Sequence, residues 1–240
     1  MRRIDLNCDL GEGAAHDARL MPLVTSANIA CGAHAGDPAT MQVTVALAQR
    51  HGVAIGAHPG FADREHFGRR ELRLPPAEIT RLVRGQVEAL RALAPLRHVK
   101  PHGALYNLAA RDAAIARAIA GAVRDTDASV TLVGLAGSAL CAAGRDVGLR
   151  VAGEAFADRA YAPDGTLAPR GTPGALLGLE AAVAQVLRLL ETGTVRATDG
   201  STATVQAETI CLHGDSPQAV GLAQALRAAL TAAGVELRAI

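Results

Sequence analysis

Aromatic side chains are scarce: Phe, Trp and Tyr make up 2% of the 240 residues, and tryptophan is absent. Lysine is rarer still, because 23 of the 24 basic residues are arginine and Lys100 stands alone. No charge sign predominates. The 24 basic and 23 acidic residues leave +1, which disfavours a disordered chain, a nucleic-acid-binding arm and any nucleic-acid partner. The four cysteines, Cys8, Cys31, Cys141 and Cys211, contain no CxxC pair. Three of them sit in apolar runs, as reduced core residues do, rather than as disulfides or structural zinc ligands. In the second half, the longest stretch without Asp, Glu, Lys or Arg, Ala128 to Gly144, is crossed by Gly134, Gly137, Thr131 and Ser138. It reads as strand, loop and helix, and no membrane span is expected. Asp5, Asn7 and Asp9 occupy the place where a signal peptide needs its apolar run, which predicts a cytoplasmic protein. Also missing are the GxxxxGK[ST], GxGxxG, GxSxG and HExxH patterns. Their absence disfavours P-loop ATP binding, Rossmann dinucleotide binding and serine-hydrolase chemistry.

What is present is an alternation of short apolar or β-branched runs with longer Ala/Leu-rich segments of helical period, the signature of an α/β fold with a parallel sheet. A chain of this length buries roughly 70 to 75% of its unfolded surface, and residues 1–240 read as one domain without linker or repeat. The predicted strands are Arg3 to Cys8, Ser26 to Ala30, Val53 to Ala57, His98 to Lys100, Ser129 to Val133, Arg150 to Gly153 and Thr209 to Leu212, with a possible eighth at Val235 to Ala239. Helices are expected over Pro38 to His51, Pro76 to Leu93, Asp112 to Arg124, Ser138 to Val147, Pro173 to Glu191 and Pro217 to Ala233. Three of these starts carry a capping residue before proline: Asp37-Pro38, Thr172-Pro173 and Ser216-Pro217. Thr194 to Ala207, centred on Asp199-Gly200, reads as a β-hairpin. Seven or eight strands in this length favour a closed (β/α) barrel over an open sheet, and either arrangement collects ligands at the carboxyl ends of the strands.

The polar motifs fall at those ends. Asn7-Cys8-Asp9-Leu10-Gly11-Glu12 places two carboxylates about a turn apart, suited to a cation or to acid and base roles, or simply to loop capping. His34 lies among small residues before Asp37, itself best explained as a helix cap. His58 ends the third strand, and Arg64, Arg69 and Arg70 beside Phe67 offer donors for a carboxylate or phosphate. In His98-Val99-Lys100-Pro101-His102-Gly103, strand alternation turns two imidazoles and the one amine to the same side, and a face of that kind rarely serves packing. Tyr106 and Asn107 follow. Phe61, Phe67, Tyr106, Phe156 and Tyr161 all fall in segments read as loops, where a binding surface would place them. The stretch Glu154 to Arg170 reads as a lid, with Arg159 and Arg170 as candidates for a substrate carboxylate and Asp158-Arg159 as an alternative internal ion pair. His213 and Asp215 end the last strong strand, with Ser216 as a cap.

The segments DLNCDLGEG, SANIACGAHAGDP, GAHPGFAD, FGRR, VKPHGALYN, EAFADRAY and ICLHGD resemble the LamB/YcsF family from Asp5 to Asp215. The chain departs from that pattern at Gly11-Glu12-Gly13-Ala14-Ala15, where a Phe-Gly pair is expected. The resemblance implies a seven-stranded (β/α) barrel similar to the glycoside hydrolase/polysaccharide deacetylase-like fold. It also implies a component of an ATP-dependent 5-oxoprolinase, which opens 5-oxoproline (pyroglutamate) to L-glutamate with ATP hydrolysed to ADP and phosphate. ATP is then handled with two partner components, the B and C subunits, in keeping with the absence of a nucleotide motif here. On this reading the catalytic candidates are Asp9, Glu12, His34, His58, Lys100, His102 and His213. The substrate-binding candidates are Asn7, Arg69, Arg70, Tyr106, Asn107, Glu154, Asp158, Arg159, Arg170 and Asp215. Asp9 or His102 is the expected general base, Lys100 the donor to a developing oxyanion or phosphate, and Arg159 or Arg170 the carboxylate clamp. Two alternatives stay open. One is a stand-alone amidohydrolase holding a divalent metal with Asp9, His34, His58 and His102 or His213. The other is a non-catalytic substrate-binding subunit.

Overall fold

Strands form where the apolar and β-branched runs lie, and helices follow them in order. The computed structural model describes residues 2–240. The chain runs β1 (Arg3–Leu10), α1 (Asp17–Leu20), β2 (Ser26–Ala30), α2 (Pro38–His51), β3 (Ala54–His58), α3 (Pro76–Arg91), β4 (His98–Val99), α4 (Gly103–Arg111) and α5 (Ala113–Thr126). It continues through β5 (Thr131–Leu135), α6 (Ala139–Asp146), β6 (Arg150–Phe156), α7 (Leu179–Thr192), β7 (Thr194–Arg196), β8 (Thr202–Thr204), β9 (Thr209–Leu212), α8 (Ala219–Ala232) and β10 (Glu236–Leu237).

Strands β1 to β6 and β9 pair in parallel in that order, and β9 closes on β1 with Asp5 opposite Thr209 and Asn7 opposite Cys211, making a seven-stranded barrel. The eighth strand is real but lies outside the ring: β10 pairs only with the start of β1, Arg3 opposite Glu236. The expected hairpin is present as antiparallel β7 and β8. No helix among the described residues is long and apolar enough to cross a membrane.

Alternation along β1 decides what the barrel encloses. Ile4, Leu6, Cys8 and Leu10 are buried in the apolar core, where each large aliphatic side chain contributes about 1.5 to 3 kcal/mol. Asp5, Asn7 and Asp9 point into the lumen instead. Across it, Asn7 Nδ2 donates to Glu154 Oε1 (2.9 Å) and Thr209 Oγ1 (2.6 Å), and Thr209 Oγ1 donates to Asp5 Oδ2 (2.5 Å). Barrel interiors of this class are usually filled by branched aliphatics. Here the filling is a hydrogen-bonded network of buried groups, whose bonds to one another offset the cost of burying them. Gly56 makes room for it: a Cβ there would lie 2.0 Å from His98 Nε2, and this ring nitrogen donates to Asn28 Oδ1 at 2.7 Å.

Local caps explain some boundaries and correct others. Asp37 caps α2 by accepting from Thr40 N–H at 2.7 Å, and Gly52 ends that helix at φ +66°. The Thr172-Pro173 start is not used. Gly174 turns the chain at φ +78°, and α7 begins at Leu179 after Gly178. Similarly, Ser216 accepts from Gln218 N–H in a turn, and α8 begins at Ala219. Helices α1 and α4 add to the predicted set. Pro101 forbids a helix through itself but not one starting two residues later, so Tyr106 and Asn107 stand on α4 rather than in a loop. Two of the five aromatics are packed, not displayed: Phe61 and Tyr161 are fully buried, and Tyr161 Oη accepts from Phe156 N–H at 2.7 Å.

Candidate active site

Lys100 forms the floor of the site. It follows β4 directly, and its side chain reaches into the barrel axis at 2% exposure. Its ammonium donates to Asp9 Oδ1 (2.9 Å), Asn7 Oδ1 (3.3 Å) and Cys211 Sγ (3.0 Å) and lies 3.0 Å from Glu154 Oε1. Burial pulls the Lys100 pKa down, but Asp9, then Cys211 and Glu154, outweigh it and hold the amine well above its ordinary value. The group is therefore a fixed cation and not a base. Burial likewise pushes the Asp9 carboxyl up, and the His58 ring and Lys100 more than reverse that, keeping it ionised.

Beside this floor lies a ring of imidazoles from the ends of β2, β3 and β4. His58 Nδ1 faces the Lys100 carbonyl at 2.7 Å, and His102 Nε2 faces the Phe67 carbonyl at 2.9 Å. A carbonyl only accepts, so both of those nitrogens carry hydrogen. The remaining two, His58 Nε2 and His102 Nδ1, meet at 2.9 Å, so one proton or one cation must lie between them. Glu12 Oε1 is 3.3 Å from His102 Nδ1 and 3.1 Å from His34 Nε2. Burial, and next the Asp9 charge, raise the Glu12 pKa well above the carboxylate range, and burial lowers His34 to about 3. The His34–Glu12 contact is thus a neutral hydrogen bond rather than an ion pair. Burial also lowers His102 well below an ordinary imidazole.

Donor atoms of Glu12, His34, His58 and His102 all fall within 4.8 Å of one another, so a divalent ion can be tested against them. His34 does not fit: its ring stacks parallel on His102, centroids 3.8 Å apart and planes 3° from parallel. An ion in the plane of one ring then lies out of the plane of the other. Glu12, His58 and His102 do fit, with the two imidazoles nearly perpendicular at 85° and each second nitrogen anchored to a backbone carbonyl. Of the expected ligand set, Asp9 is engaged by Lys100 and His58; it forms a second group with His213 and Cys211, donor atoms within 4.8 Å of one another, in which Lys100 also donates to Cys211 Sγ.

The His213 corner is built by the lid after β6 and the end of β9. His213 Nδ1 sits 2.9 Å from both Asp158 oxygens, and its ring stacks on Phe156 with centroids 5.5 Å apart. Burial works to raise the Asp158 pKa, and His213 outweighs it, so the carboxyl lies below its usual value and accepts. Nδ1 therefore carries hydrogen, and Nε2 makes no hydrogen bond among the described residues. Asp158 pairs with His213, not with Arg159. Arg159 Nη2 instead donates to the Ala168 carbonyl at 2.5 Å.

A cavity of about 650 Å³ opens over this floor. Asp9, His58, Lys100, His102 and His213 reach it, as do Arg69, Tyr106, Asn107, Arg159 and Arg170. The remaining candidates stand behind it. Asn7 and Glu154 lie beneath Lys100, Asp158 behind His213, Glu12 and His34 behind His102. Asp215 is bound to Arg69 Nη2 at 2.5 Å, and Arg70 is turned to Asp63 at 3.3 Å. Arg111, at the end of α4, also lines the cavity. The sequence motifs do not reveal it, because an arginine eight residues after Gly103 points to the cavity only once α4 is drawn.

The sequence pattern of the LamB/YcsF family matches residues 4–240. The 5-oxoprolinase A subunit of Bordetella pertussis is 53% identical, with 98% of each chain covered. Among solved structures, the lactam utilization protein from Thermus thermophilus superposes with a TM-score of 0.93 at 47% identity, over 99% of this chain and 100% of that one. The family 4 carbohydrate esterase from Streptomyces lividans, solved in complex with acetate, superposes with a TM-score of 0.53 at 10% identity over 98% and 91% of the two chains, and shares the fold.

Proposed function

The chain belongs to the LamB/YcsF family, and on that premise we propose that it is the ring-opening component of an ATP-dependent 5-oxoprolinase. The reaction is 5-oxoproline plus ATP and two waters giving L-glutamate, ADP and phosphate. The B and C subunits would handle ATP, and the assembly would work in the cytoplasm. The names of the relatives support this reading, and so does the cavity. The observation that carries it is His213, held through Nδ1 by Asp158 with its other nitrogen free, beside the fixed Lys100 cation. A lactam carbonyl is a weak electrophile. Hydrolysis needs a base for water, a cation for the oxygen charge that develops, and a proton for the departing nitrogen.

In the proposed mechanism, the partner subunits move the γ-phosphoryl of ATP to the lactam oxygen and release ADP. His213 Nε2 then takes the proton from water as its oxygen attacks the activated carbon, and once the ring has opened a second water cleaves the resulting acyl phosphate to glutamate and phosphate. Asp158 stabilises the imidazolium, which then returns the proton to the ring nitrogen as the C–N bond breaks, the logic of a hydrolytic triad without its serine. Lys100 faces the developing oxyanion, and Asp9, Glu154 and Asn7 hold the ammonium in place. His213 thus takes the base role expected of Asp9 or His102, both of which are committed to hydrogen bonds inside the network. The test is glutamate and ADP formation with this chain alone, the B and C subunits alone, and all three together. Turnover is expected only in the complete mixture, and none in any mixture sinks the proposal.

A second reading rests on the His58–His102 contact. A divalent ion held by Glu12, His58 and His102 would supply a Lewis acid to a stand-alone amidohydrolase. Elemental analysis of the purified chain decides it: about one tightly held ion per chain, lost in His58→Ala, would support that reading, and a metal-free chain rejects it.

A further inference from the structure

Phe156 is one of five aromatic residues in the chain, and it stands where the two principal groups of the proposed chemistry meet. It ends β6, and strand alternation turns it to the same side as Glu154, one step nearer the mouth of the barrel. The Lys100 ammonium lies over the ring, 5.4 Å from its centroid. The His213 imidazole stacks on the same ring, with centroids 5.5 Å apart and planes 20° from parallel. Tyr106 meets it edge to face, at 5.7 Å and 85°. The ring is 5% exposed and lines the cavity.

Its backbone is fixed on both sides. The N–H donates to Tyr161 Oη at 2.7 Å, and the carbonyl accepts from Gln185 Nε2 at 2.9 Å. Gln185, on α7, uses the same amide nitrogen for the carbonyls of Ala157 and Arg159, so the strand end is tied to the helix layer behind it. Packing alone asks only for bulk at this position, which a leucine would supply. A phenyl ring adds a negative π-face, and two nitrogen groups lie against it. One is a cation at all times, and the other becomes a cation when it holds the proton of water.

We propose that Phe156 is a positioning residue for ring opening, an aromatic platform that sets Lys100 and His213 beside one another and stabilises the imidazolium that forms on His213 during catalysis. The inference rests on the lactam-opening reading above and deepens it. A neutral imidazole stacked on phenyl gains little from the ring's quadrupole, and an imidazolium gains more. The interaction therefore strengthens between ground state and transition state, and an effect of that kind appears in kcat rather than in KM. Lys100 is charged in both states, so its contact with the ring contributes to the stability of the folded chain instead.

Replacing Phe156 by phenylalanines that carry one, two and three ring fluorines weakens the negative face while nearly preserving shape. In the complete mixture with the B and C subunits, kcat should fall stepwise, by about threefold to thirtyfold over the series, with KM unchanged. Phe156→Leu should lose as much. Thermal midpoints of the purified chain give a readout that needs no turnover. They should fall along the series in the otherwise wild-type chain and stay level in Lys100→Met/Glu154→Gln, where no ammonium faces the ring. Intact turnover that stays level across the series, with level midpoints, overturns the platform and leaves the lactam reading standing. Midpoints that fall only when Lys100 is present, with no turnover in any mixture, uphold the platform and remove the lactam reading. Level midpoints without any turnover overturn both.

Discussion

Lys100→Met lowers glutamate formation in the complete mixture by about 10² to 10³-fold, the loss typical of removing one preorganised donor to a developing oxyanion. The same change leaves Asp9 and Glu154, 2.9 and 3.0 Å from the ammonium, without their cation inside the barrel. Breaking a buried pair in this way costs on the order of 3 to 5 kcal/mol, so lost turnover alone would not separate catalysis from folding. The double variant Lys100→Met/Glu154→Gln does. Neutralising Glu154 removes one stranded charge, so the thermal midpoint partly recovers while turnover stays at the level of the single variant. Recovery of both, or a single variant with wild-type turnover, removes Lys100 from the chemistry. If instead the chain only scaffolds its partners, the folded double variant supports full turnover.

Asp158→Asn produces the second large effect, a fall in kcat on the order of 10² to 10⁴-fold with KM little changed, because an amide neither fixes the His213 tautomer nor stabilises its imidazolium. Asp158 stands behind His213 rather than in the cavity, which is why binding is spared. His213→Gln should cost about as much, and combining the two should cost no more than either alone. A KM defect with intact kcat would make the pair a binding element.

The stability of Asp158→Asn carries its own signature. The wild-type carboxyl is held below its ordinary value by His213, so the stabilisation it provides is fully present above the unfolded carboxylate pKa of about 4. It is lost as pH falls through the lowered folded value. The difference in Tm between wild type and variant should therefore be widest near neutrality and close in acid. A gap that widens in acid contradicts the assignment.

Much of the fold is legible in the sequence because its signals are local. Apolar runs, helical period and the Asp37-Pro38 cap place β1 to β6, β9 and α2 within a few residues. Parallel pairing then carries every strand's carboxyl end to one side, so the motif positions alone group Asp9, His58, Lys100, His102 and His213. The uniqueness of Lys100 in an arginine-rich chain marks it as well. Local signals mislead at Thr172-Pro173, where a cap and a proline without an apolar helical face produce only a turn. They mislead again at α4, where Pro101 suggests an end to regular structure and in fact precedes a helix.

Partner choice is decided by the tertiary structure alone. Asp158 is one residue from Arg159 but bonds His213, 55 positions away, and Asn7 meets Glu154 across 147 positions. Pairing of β9 with β6 sets the first distance and closure of β9 onto β1 the second, and no local propensity encodes either. The same closed barrel puts polar β1 residues in the lumen, leaves β10 outside it, stacks His34 on His102 so that the two rings cannot both hold one ion in their planes, and gathers arginines from separate segments on one wall. Sequence by itself determined which chemical groups this protein owns and on which face they end. Only the packed barrel, where burial makes every unpaired charge costly, decided which of them are committed to one another and which remain for a substrate.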